Sequence, residues 1–271
     1  MRTDIGLDLV RYLLLAMVAA GLAVSPASVR GADESEPTGA TNATPTPRAY
    51  FLQPGDVVLF LGNSITEGAQ PEMNFLAEDF RKKYPKLAEG KGQVQLITAG
   101  IGGEQAVAGA GRLKALLDQH KPTVCVVCYG TCEVVYKGEE NFTPAMKDIV
   151  RQLKKARVAI TVVSPPPAFA KNWKQGALPV EQLLDGIPRM VKEAKSIAAA
   201  EKGAIFVDAF AAFKAAAAKS KKELTSDGIH PNEGGYRVMT DALQKAWGFG
   251  SPLGSHPSRR SPRAGKEGTS R

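Results

Sequence analysis

An α/β fold, with a mostly parallel sheet flanked by helices, is predicted by three features of the 271-residue chain. Short apolar runs recur five times, helical patterns fill the intervals between them, and four of the five strand-end loops are rich in small or polar residues. The runs lie at 57–61, 93–97, 123–129, 158–163 and 204–208. Each is nearly continuous in apolar residues, as strands covered on both faces are.

The first run belongs to "DVVLFLGNSITEG" and stops at Gly62, followed by Asn63 and Ser64. A helix is expected near 71–83, with Pro71 at its start, where a missing N–H costs least. After the strand at 93–97, "TAGIGGEQA" forms a loop and a helix spans 104–119. The third run is "TVCVVCY", followed by "YGTCEVVYKG" and a helix at 144–156 that begins at Pro144. The strand at 158–163 leads into "SPPPAFAKNW" and a helix at 180–202. The last strand precedes a helix at 209–219, the loop "SDGIHPNEGGY" and a closing helix at 233–247, for which Pro231 suits the start. Ligands of such sheets collect outside the carboxyl ends of the strands, so these loops are where chemistry is sought.

Both chain ends read differently from this core. Residues 12–24, "YLLLAMVAAGLAV", are an apolar stretch preceded by Arg2 and Arg11 and followed by "SPASVRGA". That layout is a secretory signal peptide over 1–32, cleaved after Ala27 or Ala32, and too short for the ~20 residues of a membrane span. No stable span is expected after cleavage, and the destination is the periplasm or the outside of the cell. Residues 33–48 are a Thr- and Pro-rich linker, 49–249 the folded domain and 250–271 a disordered basic tail. The tail carries a net +4 of the chain's +8 but no aromatic residue, so it reads as a solvated segment and no nucleic-acid partner is expected.

The three cysteines, Cys125, Cys128 and Cys132, cannot form a complete disulfide framework. Cys125 and Cys128 are three apart in a β-type run, which directs them to opposite faces and to core packing rather than to one metal ion. No metal or cofactor is expected, because no His, Cys and carboxylate cluster has ligand spacing. The "GIGG" segment is not a dinucleotide loop: Gln105 stands where the last glycine belongs.

A serine hydroxyl attacks a carbonyl usefully when a base takes its proton and donors receive the developing oxyanion. Ser64 follows its strand directly. Of the three histidines, His120 lies in a helix-to-strand turn and His256 in the tail, which leaves His230 as the base and Asp227, three residues earlier, to orient it.

"FLGNSITEG", "AGIGGEQA", "YGTCE" and "SDGIHPNEGGY" resemble, in order and approximate spacing, the blocks of the SGNH (GDSL-like) hydrolase family, over about 55–247. The resemblance implies a flavodoxin-like three-layer sandwich on a five-stranded sheet, Ser64 as nucleophile, His230 as base and Asp227 as its orienter. It also implies an oxyanion hole made by the backbone N–H groups of Ser64 and Gly103 and a third-block asparagine. Here the third block departs, since Cys132 holds the asparagine's place, and a thiol is a weak donor. Three accounts stay open: a weakened esterase, replacement of the donor by Asn63 or Asn172, or a domain that binds carbohydrate or cell envelope without catalysis. Cys132 is not itself expected to be the nucleophile, because nothing basic stands beside it. Tyr136 and Trp173, with Asn63 and Asn172, are the candidate substrate contacts. The expected substrate is a small-molecule or carbohydrate ester carrying a small, acetyl-like acyl group; the sequence leaves oligomeric state undetermined.

Overall fold

In the computed structural model, which describes residues 51–173, 178–220 and 222–249, five strands pair in the order β2-β1-β3-β4-β5. They are β1 (Val57–Gly62), β2 (Gln95–Gly100), β3 (Val124–Cys128), β4 (Ala159–Val163) and β5 (Ile205–Val207), and every neighbouring pair is parallel. The helices are α1 (Ser64–Glu67), α2 (Gln70–Lys83), α3 (Ala106–His120), α4 (Thr131–Val135), α5 (Glu139–Lys155), α6 (Val180–Ala200), α7 (Ala209–Lys219) and α8 (Glu233–Ala246). The expected leader, linker and tail, and the side chain of Asn172, lie outside the described residues. Among the described residues no helix is long and apolar enough to cross a membrane.

Strand alternation sorts the core into two layers. Leu59, Leu61, Cys125, Val127, Ile160 and Val162 face one way and pack with residues of α3, α5 and α6. Val58, Phe60, Val124, Val126, Cys128 and Val163 face the other and pack with α2, α7 and α8. Cys125 and Cys128 therefore sit on opposite faces of β3, both buried. The result is the expected three-layer α/β sandwich.

Several expected boundaries move. β2 begins two residues later and runs to Gly100, because its backbone stays in register with β1 from Val57–Gln95 to Gly62–Gly100. It is also an edge strand with partly exposed side chains, unlike its buried neighbours. Helix α5 starts at Glu139, five residues before Pro144, which lies inside it. The carbonyl that Pro144 leaves without a helical donor belongs to Glu140, which is solvent-exposed, so water can satisfy it. The short helices α1 and α4 were not expected: both are about a single turn, below the length at which periodicity is readable.

The order 2-1-3-4-5 reverses direction at β1, so chain leaving β1 and chain leaving β3 diverge and open a crevice at their carboxyl ends. Ser64 opens the helix after β1, and Cys132 lies in the helix after β3.

Candidate active site

Ser64 is held by a turn too tight for ordinary side chains. A Cβ on Gly62 would meet Thr66 Oγ1 and the Cys128 carbonyl (2.5 Å), and one on Gly100 would fall inside the backbone of Thr66 and Glu67. Glycine at both strand ends lets α1 lie directly against β2. Asn63 caps α1, its side-chain Oδ1 accepting the N–H of Ile65 at 3.1 Å. From the far side, the Tyr236 hydroxyl of α8 donates to the Ile65 carbonyl at 2.8 Å.

The segment 224–232 folds back on itself. Thr225 and Pro231 form an antiparallel bridge, Ser226 N–H donates to the His230 carbonyl (2.9 Å), and Asn232 N–H to the Leu224 carbonyl (3.0 Å). Inside this loop Asp227 Oδ1 accepts the backbone N–H groups of Ile229 (3.1 Å) and His230 (2.8 Å). Gly228 adopts φ +102°, and the backbone of Phe169 and Trp173 approaches to 3.0 Å of where its Cβ would stand. The loop after β4 thus braces the loop that carries His230.

His230 Nε2 lies 2.8 Å from Ser64 Oγ, and His230 Nδ1 lies 2.6 Å from Asp227 Oδ2. An ionised carboxylate only accepts, so Nδ1 carries the proton toward Asp227 and the Nε2 lone pair faces the serine hydroxyl. Burial pushes the Asp227 carboxyl up, but the His230 ring and the N–H groups of His230 and Ile229 together outweigh it and hold the carboxyl below its usual range. The three groups are partly exposed at the carboxyl edge of the sheet, within reach of a ligand.

Gly103 sits in an exposed turn with φ +75°, three residues ahead of α3. The turn is tied to β1 by Ile101 N–H donating to the Gly62 carbonyl at 3.1 Å. Among the described residues, no hydrogen bond engages the N–H of Gly103 or of Ser64. Two networks that spacing did not reveal hold this turn. Glu104 receives Arg112 through both oxygens (2.7 and 2.6 Å) and the Tyr129 hydroxyl (2.6 Å). Buried Glu133 accepts the N–H groups of Ala106 (2.6 Å) and Gly130 (2.8 Å), clamping the start of α3 to the start of α4. A glutamate three residues after a turn glycine was the available signal for the second; for the first there was none, since Glu104, Arg112 and Tyr129 meet only through the fold.

Cys132 is 5 % exposed. Burial, then the neighbouring Glu133, pushes its thiol up to about 12, and a hydrogen bond with the Asn63 side chain acts in the opposite sense. It is a neutral thiol at physiological pH, unsuited to act as a nucleophile. Asn63 is 1 % exposed and occupied as the cap of α1, so its side chain is not presented to a substrate as anticipated. Trp173 is half-buried against the core, and its indole N–H donates to the Leu178 carbonyl at 3.0 Å, the behaviour of a plug rather than an open stacking platform. Tyr136, by contrast, is 60 % exposed, with its hydroxyl 3.3 Å from where a Cβ on Gly103 would stand.

A doubly covered parallel sheet with a serine, histidine and aspartate joined at its carboxyl edge is the arrangement of α/β hydrolytic enzymes. The chain belongs to the GDSL-like Lipase/Acylhydrolase family, whose sequence model matches residues 60–238. It is an ester hydrolase of the SGNH type. Among solved structures it is similar to a catalytic mutant of Axe2, an acetylxylan esterase from Geobacillus stearothermophilus, at 18 % identity and a TM-score of 0.59 over 73 % of this chain and 96 % of that one. It is also similar to LAE5, an alpha/beta hydrolase from the metagenome of Lake Arreo, Spain (17 % identity, TM-score 0.57, 74 % and 98 % covered). A third is BT4096, a gut microbial diltiazem-metabolizing enzyme (22 % identity, TM-score 0.60, 74 % and 49 % covered). No curated protein matches the chain.

Proposed function

We propose that the protein is an exported serine esterase that removes a small, acetyl-like acyl group from a carbohydrate ester through Ser64, His230 and Asp227. The observation that carries this reading is the continuous contact Ser64 Oγ to His230 Nε2 (2.8 Å) and His230 Nδ1 to Asp227 Oδ2 (2.6 Å). Ser64 Oγ attacks the ester carbonyl as Nε2 takes its proton, and Asp227 stabilises the imidazolium that forms. The N–H groups of Ser64 and Gly103 receive the oxyanion, with little from the buried Cys132 thiol. Collapse breaks the bond to the alcohol oxygen, which takes the proton from Nε2. Water, deprotonated by His230, then releases the acyl group as the acid and restores Ser64.

The carbohydrate ester is supported by the acetylxylan esterase among the similar structures, and mutants described there as catalytic replace a serine, an aspartate or a histidine. Export rests on the apolar stretch 12–24 and the small residues after it. In that reading 1–32 is removed, 33–48 is a spacer, 49–249 is the catalytic domain and 250–271 is a solvated tail.

Intact mass after exposure to a small fluorophosphonate tests the mechanism without knowledge of the substrate. One adduct is expected, mapped to Ser64, absent in Ser64→Ala and strongly slowed in His230→Ala. A folded protein that takes no adduct would overturn the catalytic assignment and leave a carbohydrate- or envelope-binding role.

A further inference from the structure

We propose that a polar groove between α4, α5 and α6 is a subsite for the sugar residues of an acetylated oligosaccharide, reached from Ser64 across Tyr136; this rests on the catalytic reading above. The groove is open to solvent and has a volume of about 450 Å³, within the ~300–1,000 Å³ of ligand sites. Its lining includes Val134 and Lys137, which bracket Val135 and Tyr136 where α4 ends, together with Gln182 of α6.

Tyr136 joins this groove to the site already described. Lys137, next to it in the chain, and Val134, two residues before it, line the groove, while its own hydroxyl stands over Gly103, 3.3 Å from where a Cβ would be. It is also the most exposed of the large hydrophobic side chains among the described residues, at 60 %. An exposed aromatic ring beside a polar groove offers a flat apolar face to one side of a pyranose.

The charges of the groove favour a neutral polyol. Lys137 and Arg189 stand among Glu139, Glu140 and Asp185, and Arg189 is already bonded to Glu139 at 2.7 Å. Near-balanced charge gives an anionic ligand no net attraction, which argues against phosphorylated ligands and nucleic acid. Carboxylates, an amide and a guanidinium instead supply the acceptors and donors that sugar hydroxyls need. Val134 closes the floor, where α4 packs so tightly on α6 that a Cβ on Gly186 would meet Val134 at 2.5 Å.

The test compares kcat/KM for acetylated xylotriose with kcat/KM for p-nitrophenyl acetate, using the full chain. In Tyr136→Ala and in the double variant Gln182→Ala with Asp185→Ala, the ratio is expected to fall about ten-fold, mainly through KM. Thermal unfolding of each variant separates this from loss of fold, and Asp185→Asn provides a second, near-isosteric variant. Xylotriose titrated into Ser64→Ala should bind, and should bind more weakly when Gln182 and Asp185 are also replaced. An unchanged ratio in folded variants, or hydrolysis of p-nitrophenyl acetate with none of acetylated xylotriose, overturns the groove and leaves the catalytic reading standing. Loss of neither substrate's turnover in Ser64→Ala overturns the catalytic reading instead.

Discussion

If Cys132 stands at the third oxyanion donor position, as proposed, this one side chain limits how much charge the site can stabilise. A buried thiol donates weakly, and loss of one oxyanion donor costs about 10²–10³ in turnover. Cys132→Asn is therefore expected to raise kcat on p-nitrophenyl acetate by about ten-fold or more, with Ser64 labelling retained. Unchanged turnover in a folded variant would mean that the side chain at this position does not reach the oxyanion. Glu72 presents the opposite case, a carboxyl with no role in the mechanism. It is 4 % exposed near Cys128 and Tyr236, and burial pushes it up from 4.5 to about 8. Below pH 4.5 both folded and unfolded chains hold its proton and it has no effect. As pH rises from 4.5 toward 8 only the unfolded chain releases the proton, so stability declines, by on the order of a few kcal/mol in all. Glu72→Gln should flatten this decline, read as Tm measured from about pH 5 to about pH 8.5. Asp227 has the reverse sign: its depressed carboxyl adds stability above the unfolded pKa, and that is lost as pH falls through the folded one.

The elements that carry the site are positioned by close backbone approach as much as by side chains. Helix α1 rests on the end of β2 because Gly100 has no Cβ to strike Thr66 and Glu67. Those contacts are with backbone, which cannot swing aside. Gly100→Ala should cost about 1–3 kcal/mol or more and should displace Ser64 from His230, lowering both urea stability and the rate of fluorophosphonate labelling. Full labelling at unchanged stability would show that α1 can shift without consequence. The glycine ending β1 was legible as a strand stop, but its reason was not: the atoms it must avoid belong to Thr66 and to Cys128, on another strand. Likewise α4 and the clamp made by Glu133 were invisible to periodicity, because one turn of helix contains no repeat.

At the scale of the whole molecule, the last described residues, Trp247 and Phe249, pack into the layer that α2, α7 and α8 form on the sheet. Phe51 N–H donates to the Trp247 carbonyl at 3.2 Å and their rings stack at 6.0 Å, bringing the two ends of the described domain together. The Trp247 indole N–H reaches Thr161 Oγ1 of β4 at 3.0 Å, fixing α8 to the sheet. Trp247→Ala removes a side chain that is 1 % exposed and leaves Thr161 without that donor. A loss of about 3–5 kcal/mol is expected, measured by urea unfolding. A change below about 1 kcal/mol would contradict this role.

The sequence by itself determined the alternation of strand and helix, the two-sided burial of the central strands, and the kinds of residue available at the loop ends. These depend on short-range periodicity, on glycine and proline, and on residue chemistry, all of which are local. It also brought Asp227 and His230 together, since three residues of tight loop suffice. Only the tertiary structure decided that His230 lies 2.8 Å from Ser64, 166 residues away, that Asn63 is occupied as a cap, and that Trp173 is half-buried while Tyr136 is exposed. Those outcomes follow from strand order and register, which place distant loops along one edge and cannot be read from any single segment.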